Sequence, residues 1–365
     1  MEIGIFQLLP APETATDREV IEQALWEVDL AEAGGFGSIW IAEHHLSSFG
    51  LIGAPSVFAA AVAQRTERVE IGYAVAVLPL HHPLRLAEEI AWVDNLSSGR
   101  LLVGVGPGFS PYELAAFGVP LCERQARLEE GTAIVRGALE QETFSYAGKF
   151  WSIPSVTLRP RPYRGVAPPF LRASSSEESL RAAALAGVPV LLGLKPLEQI
   201  AERVALYRAL RSELGLAAAE IDREIARFRV LRRVSLASSD EEAAADARLA
   251  LEWEAATAQR VHHAGGAGDD SRQGSQGVRL ADGSSLDEDA AIAGGCVGTP
   301  RTVVRELLAL RALGIEQVIA WVNFGNMPFA KVRRSLELLR REVIPELAAR
   351  PPVAAPAPRI AALGR

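Results

Sequence analysis

Short apolar runs alternate along this chain with longer stretches in which apolar residues recur every three or four positions. The runs at 3–9 (IGIFQLL), 38–42 (SIWIA), 69–78 (VEIGYAVAVL), 101–106 (LLVGVG), 169–173 (PFLRA), 189–194 (PVLLGL), 226–237 (ARFRVLRRVSLA) and 317–322 (QVIAWV) read as strands. The stretches at 17–34, 83–97, 197–215 and 300–314 read as amphipathic helices; the first closes at Gly34-Gly35 and the last opens with Thr299-Pro300. Strands separated by helical sequence predict a parallel α/β sheet with right-handed crossovers. Eight such units in one domain-sized chain favour a closed (β/α)8 TIM barrel over an open sheet.

Two stretches break the alternation. Residues 143–168, rich in proline and aromatics, predict an inserted hairpin or wrapping loop before the fifth strand. Residues 264–295 are rich in Gly, Asp and Ser. A loop of that length in a compact domain is either a functional lid or a solvated insertion. The expectation is one barrel domain over 1–349 and a flexible Pro- and Ala-rich tail over 350–365.

Composition narrows the function. The 365 residues, 49% of them hydrophobic, suffice for one large barrel. The net charge is −7 and the basic residues are dispersed, which argues against nucleic acid as a partner. The opening MEIGIFQLLP lacks the basic leader and long apolar core of a signal peptide, and no run approaches membrane-spanning length. Cys122 and Cys296 form no CxxC pair, against a disulfide scaffold or structural zinc. A soluble, cytoplasmic protein acting on a small molecule is expected.

The run SIWIA breaks off into Glu43-His44-His45 and a polar, glycine-bearing loop. Barrel active sites gather at the C-terminal strand ends. Successive strand residues point to opposite sides, so His44 faces one way and Glu43 and His45 the other. A histidine there suits acid–base work near neutral pH; the alternative is a hydrogen-bonded structural imidazole. All six histidines fall in adjacent pairs, 44/45, 81/82 and 262/263. Adjacent residues rarely reach one ion and neither HxH nor HExxH occurs, so no metal site is expected. GVGPGFS (104–110) departs from the dinucleotide fingerprint at Phe109. Its Gly106, Phe109 and Ser110 either border a cofactor or form a tight turn. RASSSEES (172–179) opens a helix, where Arg172, Ser174, Ser175, Ser176 and Ser179 offer an anion hydroxyls and N–H groups. Ser174 with Glu177, or Ser175 with Glu178, reads equally well as a capping box. Ala74 and Ala76 in the third strand leave room for a flat ligand or simply pack the barrel.

Together these stretches resemble the bacterial luciferase family of reduced-flavin-dependent monooxygenases, in the branch near the luciferase catalytic subunit. The likeness is carried by EHHLSSFGLIGAP (43–55), VLPLHHPLRLAEEIAWVDNLSSGR (77–100), GVP (187–189), VGTP (297–300) and NMPFAKVRRSLELLRREVIPEL (326–347). It spans nearly the whole chain. It implies a TIM barrel with insertions that binds reduced FMN and reacts it with O2, through a C4a-peroxyflavin, to oxygenate a small organic substrate. Aldehydes, ketones, terpenes and polyketide-type aromatics all fall within that class. The likeness implies that His44 is the acid–base residue beside the flavin and His45 its more structural neighbour. Ala74-Val75 falls at a non-proline cis peptide under the ring. Ser175, Ser176 and Ser179 fall where the family grips the FMN phosphate. Phe6, His45, Ser235 and Trp321 fall in the pocket lining, and 264–295 at the mobile lid.

Three departures stand out. Gly106 replaces the pattern's reactive cysteine, Pro107 its phosphate-binding arginine, and the serine run an acid. Arg172, or Arg272 or Arg279 of the lid, is expected to stand in for the arginine. Loss of the cysteine side chain is expected to enlarge the space at the flavin edge. With no NAD(P)H fingerprint in view, a separate NAD(P)H:flavin reductase is expected to supply FMNH2. The resemblance also implies a homodimer, with the helix at 83–96 and Trp92 as candidate surface. The competing readings are an F420-dependent oxidoreductase of the same superfamily, a flavin-binding member without chemistry and, last, a barrel metallohydrolase.

Overall fold

Eight parallel strands close on themselves in a computed structural model that describes residues 1–264, 278–279, 285–286, 292 and 294–350. They are β1 (Glu2–Gln7), β2 (Ser38–Ile41), β3 (Glu70–Val77), β4 (Leu101–Gly106), β7 (Phe170–Ser174), β8 (Val190–Leu192), β9 (Arg229–Leu236) and β13 (Gln317–Trp321). Their order is β13-β1-β2-β3-β4-β7-β8-β9, and β9 pairs with β8 on one side and β13 on the other. Each falls on one of the eight apolar runs, and the fold is the expected TIM barrel. The insertion before the fifth barrel strand contains an antiparallel hairpin of β5 (Phe144–Ala147) and β6 (Ser152–Val156). Its turn is held by Glu130, whose carboxylate accepts from the N–H groups of Lys149, Phe150 and Trp151. Of the 264–295 stretch, only the short antiparallel pair β10 (Val278–Arg279) and β11 (Ser285–Leu286), Ala264, Ile292 and the last two residues are described. The lid expectation, the side chains of Arg272 and Arg279, and the tail beyond Arg350 lie outside the described residues. A further strand, β12 (Cys296–Gly298), pairs with the end of β9. It escapes the periodicity because two residues between glycines, Cys296 and Val297, carry too little pattern.

The helices are α1 (Asp17–Ala33), α2 (Pro55–Arg65), α3 (Pro83–Leu96), α4 (Pro111–Ala116), α5 (Arg124–Glu140), α6 (Glu177–Ala186), α7 (Leu197–Glu213), α8 (Ala218–Ile225), α9 (Asp240–Ala264), α10 (Pro300–Ala312), α11 (Phe329–Leu338) and α12 (Ile344–Ala349). Thr16 and Glu19 cap α1 reciprocally, and Thr299 caps α10 ahead of Pro300. No helix among the described residues is long and apolar enough to cross a membrane.

Strand alternation builds two cores. On β1, Ile3 and Ile5 join the layer between sheet and helices, while Phe6 joins the cluster inside the barrel. That inner cluster includes Trp40, Leu102, Leu171, Leu191 and Ile319, which fill the barrel's middle. Trp40 is fully buried and fits because Gly72 has no side chain: a Cβ there would stand 2.3 Å from the indole. The indole N–H donates to Ser38 Oγ at 2.9 Å. With the middle plugged, open space remains at the C-terminal ends of the strands.

Candidate active site

A cavity of about 230 Å³ occupies that end, walled by residues from and beyond several strands. His44, the third residue after β2 on the far side of Ala42-Glu43, stands on its wall, as do Ala74 of β3 and Phe6 of β1. Phe49 and Phe109 flank the imidazole, with ring centroids 4.9 and 5.3 Å from it. Ser175, at the turn into α6, and Gly193-Leu194-Lys195, after β8, complete one side. Leu231, Arg233 and Trp321 of β9 and β13, and Glu254 of α9, form the other.

His44 Nδ1 lies 3.0 Å from Glu113 Oε1, and the same oxygen accepts from the His45 backbone N–H at 3.2 Å. An oxygen that accepts a backbone N–H is an acceptor toward the ring as well, so Nδ1 carries the ring proton and donates to it. Nε2 is then the nitrogen left to give or take a proton. Glu113 reaches this position because Ser110-Pro111 start α4: the Ser110 hydroxyl accepts from the Glu113 N–H at 3.3 Å. The Ser-x-x-Glu spacing was the available signal for Glu113, and the sequence reading missed it. It also missed Glu254, Arg233 and Lys195, whose neighbours come from remote strands.

Glu43 points away from His44. Its Oε1 accepts from His45 Nε2 at 2.9 Å and His81 Nε2 at 2.8 Å, and its Oε2 from the Val77 N–H at 2.8 Å. Burial pushes this carboxyl up, but those bonds and the His81 charge outweigh it and hold it at about 2. His81 is itself raised: burial works against its charge, and Glu43 prevails. The knot ties the end of β2 to the end of β3. His45, packed edge-to-face on Phe117 with ring centroids 4.6 Å apart, belongs to this brace and does not line the cavity. Among the described residues no group of three or more His, Cys, Asp or Glu is arranged to hold a metal ion.

The remaining candidates divide. Ala74-Val75 is a non-proline cis peptide within β3, where the register against β4 shifts. A Cβ on Gly106 would meet Val75 Cγ2 at 2.7 Å, so Val75 takes up the space the missing cysteine side chain was expected to free. Ser176 caps α6, and the hydroxyls of Ser174, Ser176 and Ser179 are hydrogen-bonded to one another. Arg172 faces outward to α5 in a two-bond ion pair with Glu129, so its guanidinium is not directed at the serine cluster. The Ser235 hydroxyl donates to the Ala243 carbonyl at 3.3 Å and does not line the cavity. Ser110 serves as the cap of α4.

Fold and cavity define a TIM-barrel protein with a cavity at its C-terminal mouth. Residues 1–317 match the luciferase-like monooxygenases, and the chain belongs to that family. A protein of Sinorhizobium fredii, y4vJ, is 36% identical over 163 residues, 45% of each chain, so the match spans about half that relative's length. The oxygenase component of the flavin-dependent trigonelline monooxygenase of Acinetobacter baylyi is 26% identical over 340 residues, 90% of this chain and 91% of the relative. The crystal structure of monooxygenase RslO1 from Streptomyces bottropensis matches with a TM-score of 0.80 at 27% identity, over 95% of this chain and 100% of that one.

The residues present fit a flavin mononucleotide. Ala74 and Gly193 offer walls with little side chain, and Ser175 lines the cavity next to the capped N-terminus of α6, where hydroxyls and backbone N–H groups suit a phosphate. No described arginine joins that serine cluster by a hydrogen bond, so hydroxyls and N–H groups carry the fit.

Proposed function

We propose that this protein is the oxygenase component of a two-component monooxygenase, using FMN reduced by a separate NAD(P)H:flavin reductase to oxygenate a small organic substrate. The observation that carries this reading is the His44–Glu113 pair on the wall of an otherwise largely apolar cavity. Bound reduced FMN supplies the electrons that activate O2. Ala74 and Val75 border its ring, and Ser175, Ser176 and Ser179 hold its phosphate. Phe49 and Phe109 shield the reacting centre from water. His44 handles the proton at Nε2, kept in the right tautomer by Glu113. The absence of a dinucleotide fingerprint supports delivery of reduced flavin from outside, as does the oxygenase-component name of the Acinetobacter relative. Trp92 on α3, 59% exposed, supports pairing of two copies across that helix. Sedimentation as a monomer at working concentration would refute the pairing.

The test is anaerobic titration with reduced FMN, then mixing with oxygenated buffer while absorbance is followed. Tight binding, with reoxidation much slower than that of free reduced FMN, is expected. Binding of F420 in place of FMN would move the protein to the deazaflavin oxidoreductases. FMN binding with reoxidation at the free-flavin rate, with and without candidate substrates, would leave a flavin carrier.

A further inference from the structure

Arg233, Trp321 and Glu254 meet on one wall of the cavity. Arg233 Nη2 donates to Glu254 Oε1 at 2.5 Å, and the guanidinium stacks over the Trp321 ring, 5.1 Å from its centroid. All three residues are at least nine-tenths buried, with exposures of 4%, 4% and 3%. Each nevertheless keeps a polar atom without a partner among the described residues: Arg233 Nε, Trp321 Nε1 and Glu254 Oε2. Those are two donors and one acceptor, beside an apolar lining of Phe6, Leu8 and Leu231. An unpaired buried polar group costs roughly 1–3 kcal/mol, so three on one cavity wall call for a ligand that pairs them.

We propose that this trio is the substrate-reading end of the cavity and that it selects uncharged, hydroxyl-bearing apolar molecules, alcohols or phenols. The assignment rests on the cavity being the oxygenation site. All three atoms are sealed from solvent as the side chains stand; once a side-chain turn opens them to the cavity, a hydroxyl accepts from the Trp321 or Arg233 N–H and donates to Glu254 Oε2, so one group answers both kinds of vacancy. A hydrocarbon answers neither. A carboxylate cannot donate to Glu254 and faces its charge, while the Arg233 charge is already neutralised. Lys195, the other cation on the wall, is partly exposed, so its field is screened. Trp321 and Arg233 lie on β13 and β9, two and three strands around the barrel from β2, which leads to His44. The hydroxyl is thus an anchor, and the oxidised position lies toward His44.

The test is calorimetric titration of the full chain at pH 7 with 2-naphthol, naphthalene and 2-naphthoate, with and without oxidised FMN and without turnover. 2-Naphthol is expected to bind about tenfold or more tighter than either analogue, a ratio worth 1.4 kcal/mol. Trp321→Phe, which keeps the ring and removes only the N–H, and Glu254→Gln should each shrink that advantage while thermal melting confirms a folded chain. Equal binding of 2-naphthol and naphthalene, preference for 2-naphthoate, no binding of any probe, or an unchanged advantage in Trp321→Phe would overturn the proposal. Because no turnover is read, a hydroxyl preference that survives in a chain failing the reduced-flavin test would sink only the monooxygenase reading.

Discussion

At the residue scale, the imidazole depends on the carboxylate behind it. Glu113→Gln keeps the shape but removes the charge that fixes the His44 tautomer. Substrate oxidation is expected to slow about 10- to 100-fold, as when an orienting partner is lost, with reduced-FMN affinity unchanged. His44→Ala should cost roughly 10²–10⁴-fold in the same assay. If flavin binding fell in parallel in either variant, the pair would only be holding the pocket together. Gly106 makes a second residue-scale case. Restoring a side chain with Gly106→Cys must displace Val75, because the new Cβ lies 2.7 Å from Cγ2. Affinity for reduced FMN should drop about tenfold, a 1.4 kcal/mol loss; unchanged affinity would mean that Val75 does not border the ring.

At the element scale, two short helix starts organise the site. In α4, Ser110 and Glu113 have capping-box spacing, but Glu113 turns its carboxylate to His44 and the His45 N–H instead of back to its cap. In α6 the Ser176–Ser179 box is complete. Ser176→Ala should cost about 1 kcal/mol of stability, the usual worth of an N-cap. It should also weaken FMN binding while leaving riboflavin, which has no phosphate, unaffected. Parallel titrations with the two flavins check this, and equal weakening of both would place the phosphate elsewhere. The same stretch shows what sequence can and cannot give. RASSSEES announced a helix start with anion-binding chemistry, yet not that Arg172 turns outward to Glu129, because that pairing joins residues 43 positions apart.

At the scale of the whole molecule, two buried carboxyls set opposing pH dependences. Glu43 is held at about 2, below the ordinary 4.5, so its contribution is full above 4.5 and lost as pH falls toward 2. Glu27 of α1 is pushed up to about 7 by burial, against hydrogen bonds from Gln7 and Asn323. A raised carboxyl stabilises fully below 4.5, and that contribution is lost as pH rises toward 7. Each span corresponds to about 3 kcal/mol. Nearby, Gln7 Oε1 and Asn323 Oδ1 are buried acceptors without donors, an arrangement suited to a protonated Glu27. Urea unfolding should therefore show stability declining between pH 4.5 and 7 in the native chain and a flatter profile in Glu27→Gln. Parallel profiles would mean that Glu27 is already ionised in the fold.

The sequence by itself determined the barrel, because strand runs and helical stripes are local patterns and eight of them in order admit few closures. It marked His44 too, since a strand's end and its alternation are local features. The family likeness in stretches such as 43–55 and 77–100 was equally legible. Only the tertiary structure decided that Glu113 orients His44, that His45 and His81 share Glu43, and that Val75 fills the space beside Gly106. The convergence of Arg233, Glu254 and Trp321 on one wall was likewise hidden. Each depends on side chains from separate strands and helices meeting at the barrel mouth, and closure of the sheet, not spacing along the chain, sets those meetings.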